Sequence, residues 1–261
     1  MASVLCGFYP RKLRLFYWQP PEGHTNFGDE LSPVIVAWVS GRRLLPVPGN
    51  ANGKLMAIGT LLEDWARDGD VVWGAGSRCI RPENIQGKRL DVRMVRGPLT
   101  RDYLRQNGLA CPEVYGDPAS LMPLIHPVKV KPPAQRAHDF GVASMVLDPP
   151  LAIPPGAAPI DVRAPWQTII ARLADCRTVI SSSLHCLIVA EAYGIPAIWL
   201  RSAREMPVKY HDYYLSTGRR VEPAETVAEA MAATPPPLPQ PDRQKMIAAF
   251  PRELKTPGRR A

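Results

Sequence analysis

The densest chemistry in the sequence lies in the run Thr178-Val-Ile-Ser-Ser-Ser-Leu-His185 and the helix-like stretch that follows it to Gly194 and Pro196. An apolar strand passes through three serines directly into a helix. The hydroxyls of Ser182 and Ser183 therefore converge with the free N–H groups of the helix's first turn, an arrangement that holds a phosphate or carboxylate. His185 falls on that first turn, where it can exchange a proton with a ligand held by those donors. The competing reading makes the serines simple helix caps and His185 an ordinary histidine, because caps of this kind are common. Placement at the carboxyl end of a strand favours the chemical reading.

Four further segments carry groups able to meet a ligand. Asn26-Phe27-Gly28-Asp29-Glu30 follows the first strand; glycine allows close approach of the backbone, and Asn26 and Asp29 can bond sugar hydroxyls or cap the next helix. Gly74-Ala75-Gly76-Ser77 is a glycine-rich loop, although a lone GxG is weak as a phosphate signature. Arg96, in Val95-Arg96-Gly97-Pro98, stands where a strand gives way to a helix, with its planar fork free to grip a carboxylate or phosphate. Arg101 reads as solvated, and Asp117, in Gly116-Asp117-Pro118, as a helix cap. In Pro207 to Tyr214, Lys209 can meet an anion, while the tyrosines read mainly as packing.

Placing these groups requires short strands that feed helices. Leu13–Trp18, Leu55–Ile58, Val71–Trp73, Asp91–Val95 and Glu113–Tyr115 read as strands, with helices over Glu30–Val39, Pro33 in the first turn, and Pro98–Gln106. Phe27-Gly28-Asp29 reads as a loop. The rhythm resumes with strands at Phe140–Leu147, Ile160–Val162, Thr178–Ser181 and Ala197–Leu200, and helices at Trp166–Ala174 and Leu184–Tyr193. Such alternation implies parallel sheets covered on both faces. Two of the proline clusters among the 30 prolines, Pro127–Pro165 and Pro235–Pro241, read as connections. The expected organisation is a Rossmann-like lobe over 1–126, a linker over 127–137, a second lobe over 138–234, and a strap over 235–261 whose helix, Asp242–Leu254, presents Met246, Ile247, Phe250 and Leu254 on one face.

Composition narrows the class. With 46% hydrophobic residues in a chain of 261, the sequence is globular, and no apolar run approaches the roughly 20 residues of a bilayer span. Arg11, Lys12 and Arg14 follow the apolar Val4 and Leu5, the reverse of the order in a signal peptide, so a cytoplasmic location is expected. Five cysteines with no CxxC pair suggest neither a zinc site nor a disulfide framework; they are expected to be mostly reduced and buried. No HxxH or carboxylate cluster calls for a metal. The net charge of +8 sits in scattered pairs such as Arg42-Arg43, Arg219-Arg220 and Arg259-Arg260, which suits small anionic substrates or an anionic membrane surface better than a polynucleotide.

In this order, Asn26-Phe27-Gly28-Asp29-Glu30-Leu31, Val72-Trp73-Gly74-Ala75-Gly76, Val95-Arg96-Gly97-Pro98-Leu99-Thr100, Tyr115-Gly116-Asp117-Pro118 and Ser181–Pro196 resemble the polysaccharide pyruvyl transferase family, in particular its bacterial exopolysaccharide branch. Lys209–Arg219 and Ala249-Phe250-Pro251 are similar to it as well. The resemblance implies a GT-B-like fold: two Rossmann-type doubly wound lobes, an interlobe cleft and a C-terminal crossover helix, with the acceptor on the first lobe and the donor phosphate on the second. It implies phosphoenolpyruvate as donor substrate, no further cofactor, and a glycan or lipid-linked oligosaccharide as acceptor; the +8 charge is compatible with peripheral contact at the inner membrane face, where lipid-linked acceptors reside. The catalytic histidine of the family falls on His185 and its arginine on Arg96; Ser182, Ser183, Asn26, Gly28, Asp29, Gly74, Gly76 and Lys209 complete the expected site. Cys186, where glycine is usual, and the absence of a Pro-His pair after Phe140–Leu147 depart from the family pattern. A nucleotide-sugar glycosyltransferase on the same architecture and a non-catalytic glycan- or anion-binding relative are the alternatives.

Overall fold

Short buried runs bounded by glycine and proline become the strands of two parallel sheets. The computed structural model describes residues 12–20 and 25–254; Cys6, Arg11 and Arg259-Arg260 lie outside them. In chain order the elements are β1 (Leu13–Phe16), α1 (Phe27–Ser40), β2 (Leu44–Pro46), β3 (Leu55–Met56), α2 (Leu62–Trp65), β4 (Val71–Trp73), β5 (Asp91–Met94), α3 (Pro98–Gln106), a 3-10 turn (Pro118–Leu121) and α4 (Met122–Ile125). There follow β6 (His138–Ala143), β7 (Ala158–Pro159), α5 (Trp166–Ala174), β8 (Cys176–Ser181), α6 (Leu184–Ala192), β9 (Ala197–Trp199), α7 (Val208–Ser216), α8 (Val227–Ala232) and α9 (Arg243–Ala248). The first sheet has the order β2-β1-β3-β4-β5 and the second β7-β6-β8-β9; every pairing is parallel.

Parallel strands are covered on both faces, which is why Val71-Val72-Trp73 and Ala197-Ile198-Trp199 are apolar throughout and buried throughout. α6 is likewise apolar on nearly all sides and packs against α1, α5 and the 3-10 turn. It lies inside a buried cluster that runs from Leu13 in β1 to Met246 in α9 and Phe250 beyond it, drawing on both sheets.

Several boundaries differ from the sequence reading. α1 begins at Phe27, so Gly28 and Asp29 occupy its first turn instead of a loop. Pro33 consequently lies in the second turn, where it supplies no N–H to the Asp29 carbonyl. Glu113–Tyr115 forms only a single bridge, Val95 to Tyr115. The edge strand of the second sheet is Ala158–Pro159, ahead of Ile160–Val162. The last helix stops at Ala248, and Phe250 reaches the core from the turn after it. β2 and α7 are additional elements; in α7 the tyrosines Tyr210, Tyr213 and Tyr214 are buried.

The last described segment returns to the first sheet. The Trp73 indole donates to the Met246 carbonyl at 2.9 Å, and its ring meets Phe250 edge-on, centroids 4.9 Å apart. Arg243 donates to the carbonyls of Ser120 and Ala192, and Arg219, paired with buried Glu191, donates to the Pro237 carbonyl. Among the described residues no helix is long and apolar enough to cross a membrane.

Candidate functional site

The carboxyl ends of strands from both sheets open onto one cavity of about 210 Å³. From the first sheet come Trp18 beyond β1, Asn26 and Asp29 at the start of α1, Gly59, Thr60 and Leu61 beyond β3, Asp64 and Trp65 in α2, and Arg78 beyond β4. From the second come Met145 to Leu147 beyond β6, Ser183 to His185 beyond β8, and Glu205 and Lys209 beyond β9. Ligands in open parallel sheets sit at this end because helix N-termini and loops converge there.

His185 is held between two neighbours. Its Nε2 lies 3.5 Å from Oδ2 of Asp117, a carboxylate with no side-chain exposure. Neither atom has a hydrogen-bond partner among the described residues. On the other side Nδ1 rests against Gly28, where an added Cβ would come within 1.9 Å of it. Glycine at position 28 is therefore a matter of space for the imidazole. Asp117 also accepts from the Ala119 N–H, so it caps the 3-10 turn and backs the histidine at once. The cap was legible in the sequence; the approach to His185 depends on how α6 packs against the turn, which local spacing does not encode.

Asp29 is the most perturbed acid of the cavity. It is buried, Asn26 donates to it at 2.5 Å, and its carboxyl is pushed up to about 6: burial drives it upward, while the His185 and Lys209 charges and the Asn26 amide oppose. Lys209, 3.1 Å from Glu205, is drawn below the ordinary lysine range by burial, partly offset by Glu205, with the Arg96 and Arg78 charges adding to the depression. The buried lysine thus gains from any anion that enters.

The structure brings Asn26, Asp29, Ser183, His185 and Lys209 to the cavity and sets Gly28 behind the imidazole. It does not bring the others. Ser182 points inward: its hydroxyl accepts from the Met145 N–H at 2.9 Å, and its carbonyl accepts from the Tyr210 hydroxyl. Gly74, at φ +103°, turns the chain between the Ala57 carbonyl and Pro118, and Gly76 gives Arg96 room, since a Cβ there would lie 2.2 Å from Nη2.

Arg96 does not project into the cleft. It is wholly buried, with Nε 3.4 Å from the Asp212 carboxylate of α7 and Nη1 donating to the Thr60 hydroxyl at 3.0 Å. Asp212 lies across the start of α3, where it also accepts from the N–H and hydroxyl of Thr100, and this draws the guanidinium off the cleft. Its contribution reaches the cavity through Thr60. Arg101, expected to be solvated, is mostly covered, its side chain 17% exposed and 3.5 Å from Asp102.

Thr60, Asp64, Trp65, Trp18, Arg78 and Glu205 are the residues that spacing alone did not single out. The Met56-Ala57-Ile58-Gly59-Thr60 run, a strand ending in glycine, was the signal that could have found Thr60. Cys186 is fully buried in α6 away from the cavity, with its thiol pushed up to about 12 by burial. Of the other cysteines, Cys176 is buried and Cys79 and Cys111 half-buried, all as free thiols. No group of three or more potential metal ligands occurs among the described residues.

A family model described as polysaccharide pyruvyl transferase matches residues 84–204, a span holding Arg96, Asp117, Ser183 and His185. The succinoglycan biosynthesis protein ExoV of Rhizobium meliloti (strain 1021) is 25% identical over 234 residues, which cover 84% of this chain and 71% of that protein. The crystal structure of the uncharacterized protein KP1_0663 from Klebsiella pneumoniae superposes with a TM-score of 0.51 at 12% identity, over 83% of this chain and 94% of the other, a likeness of fold alone.

Proposed function

From its similarity to the polysaccharide pyruvyl transferase family, we propose that the chain moves the pyruvyl group of phosphoenolpyruvate onto two hydroxyls of one sugar in an exopolysaccharide or its lipid-linked precursor, forming a ketal and releasing phosphate. The observation that carries this reading is His185, backed by a buried carboxylate and facing a cavity that also presents Lys209 and the first turn of α6. Two Rossmann-type lobes in a GT-B-like pairing are the architecture it uses.

Phosphoenolpyruvate is small and carries a carboxylate and a phosphate. The N–H groups at the start of α6 and the Lys209 ammonium suit those charges, with Arg96 adding positive potential from behind Thr60.

In the reaction the imidazolium of His185 gives its proton to the methylene carbon, leaving a cationic carbon that the first sugar hydroxyl attacks. That hydroxyl's proton returns to the imidazole and passes to the departing phosphate. The second hydroxyl then closes the ketal and its proton restores the imidazolium. Two hydroxyl protons enter, and one leaves on the new methyl group and one on phosphate. Asp117 steadies the imidazolium, and Asn26 and Asp29 hold the sugar hydroxyls. Acceptors on lipid carriers would be met at the inner membrane face, where the +8 charge suits anionic headgroups.

The test is incubation with phosphoenolpyruvate and glycolipid extracts, read as phosphate release together with a mass gain of one pyruvate ketal. His185→Asn is expected to lower turnover by about 10²- to 10⁴-fold while phosphoenolpyruvate still binds. Turnover near wild type in that variant would remove the histidine from the mechanism, and calorimetric binding of a nucleotide sugar in place of phosphoenolpyruvate would replace the reaction by glycosyl transfer.

A further inference from the structure

Two indoles border a cavity whose remaining groups are mostly charged or polar, and nothing in the donor chemistry uses them. Trp65 closes α2 and is fixed from behind: its ring lies 5.2 Å from that of Phe16 at 46°, and Gly49 approaches so closely that an added Cβ would stand 2.1 Å from Cε3. The residue is nonetheless only half-buried and lines the cavity, as does Trp18. Beside Trp65 the Asp64 carboxylate is held by Arg78 at 2.5 Å and Arg81 at 3.1 Å, and its side chain stays 27% exposed, leaving oxygen lone pairs to accept from a ligand.

We propose that Trp65, with Trp18, is the platform on which the acceptor sugar stacks, and that Asp64 and Arg78 take that sugar's hydroxyls. The proposal rests on the pyruvyl-transfer reading and names its second substrate site. A pyranose gathers its axial C–H groups on one face and its hydroxyls on the rim, so it needs an apolar plane flanked by donors and acceptors. Phosphoenolpyruvate offers no such face. An indole pinned by Phe16 and Gly49 has its rotamer set before binding, which lowers the ordering cost of the contact. The division follows the fold: the first sheet supplies the indoles and the Asp64–Arg78 pair, the second supplies Lys209 and the start of α6, and Asn26, Asp29 and His185 lie on the same cavity wall system, where a stacked sugar can present a diol.

The test uses the full chain and a panel of methyl hexopyranosides (gluco, galacto and manno, both anomers) as acceptor probes, with binding followed by saturation-transfer NMR. At least one glycoside is expected to bind, with saturation strongest on the protons of one ring face. Trp65→Ala is expected to weaken it about tenfold or more and Trp65→Phe to restore part of the loss. The phosphoenolpyruvate-induced thermal shift should persist in Trp65→Ala, which separates a lost platform from a lost fold. Absence of glycoside binding by the wild type, undiminished binding by Trp65→Ala, or displacement of the glycoside by uridine monophosphate acting through Trp65 would each overturn the proposal. Glycoside binding through Trp65 without any response to phosphoenolpyruvate would keep the platform and remove the pyruvyl reading.

Discussion

A carboxyl group that the fold keeps partly protonated works against the fold at neutral pH. Asp29 has its carboxyl raised from an ordinary 3.8 to about 6 chiefly by burial. Because the folded value lies above the unfolded one, the protein is favoured below about pH 4 and loses that advantage as pH rises through 6. Replacing Asp29 by Asn removes the titration but keeps an acceptor for the Asn26 amide. Asp29→Asn should therefore be more stable than wild type at pH 7.5, by up to about 3 kcal/mol, with the difference vanishing near pH 4. Urea midpoints across that range check the slope; a constant difference would place the origin of the effect elsewhere. Turnover should fall in the same variant, the exchange of stability for activity common at functional sites.

Between elements, the buried contact of Arg96 with Asp212 ties the start of α3 to α7. Gly97 permits the approach: a Cβ there would lie 1.9 Å from the Asp212 carbonyl oxygen. Asp212→Ala strands a buried guanidinium as well as the Thr100 donors, and a loss of about 3–5 kcal/mol is expected in chemical unfolding. An Arg96→Met, Asp212→Leu double variant should recover much of it, because the uncompensated charge is gone. At this scale the sequence was most informative for local elements. α3 and α5 run over the anticipated Pro98–Gln106 and Trp166–Ala174, and β4 over Val71–Trp73, since proline starts, apolar periodicity and glycine stops are all local. Spacing alone points Arg96 into the cleft, because its partner Asp212 lies on another element and is invisible to spacing. Spacing likewise offers Ser182 to a ligand, whereas its hydroxyl accepts from the Met145 N–H. His185, Asn26 and Lys209 were readable because strand ends in such sheets point to one place; Thr60, Trp65 and Asp117 needed the packing of distant segments.

For the molecule as a whole, the buried cluster that joins both sheets through α6, α1 and Phe250 predicts one unfolding event. Tryptophan fluorescence and far-UV circular dichroism should report coincident transitions. Phe250→Ala removes a ring packed edge-on against Trp73 and should cost about 3–5 kcal/mol without splitting the transition. Two resolved transitions would show that the halves melt apart.

The return of the last segment to the first sheet also bears on biogenesis. Strands β1 to β5 leave the ribosome long before Met246 and Phe250, so until those residues emerge the Trp73 indole has no carbonyl to bond and its ring no neighbour on that side. The early part of the nascent chain must wait, with an aromatic surface open to chaperones, for a clasp that lies 173 residues further along the sequence.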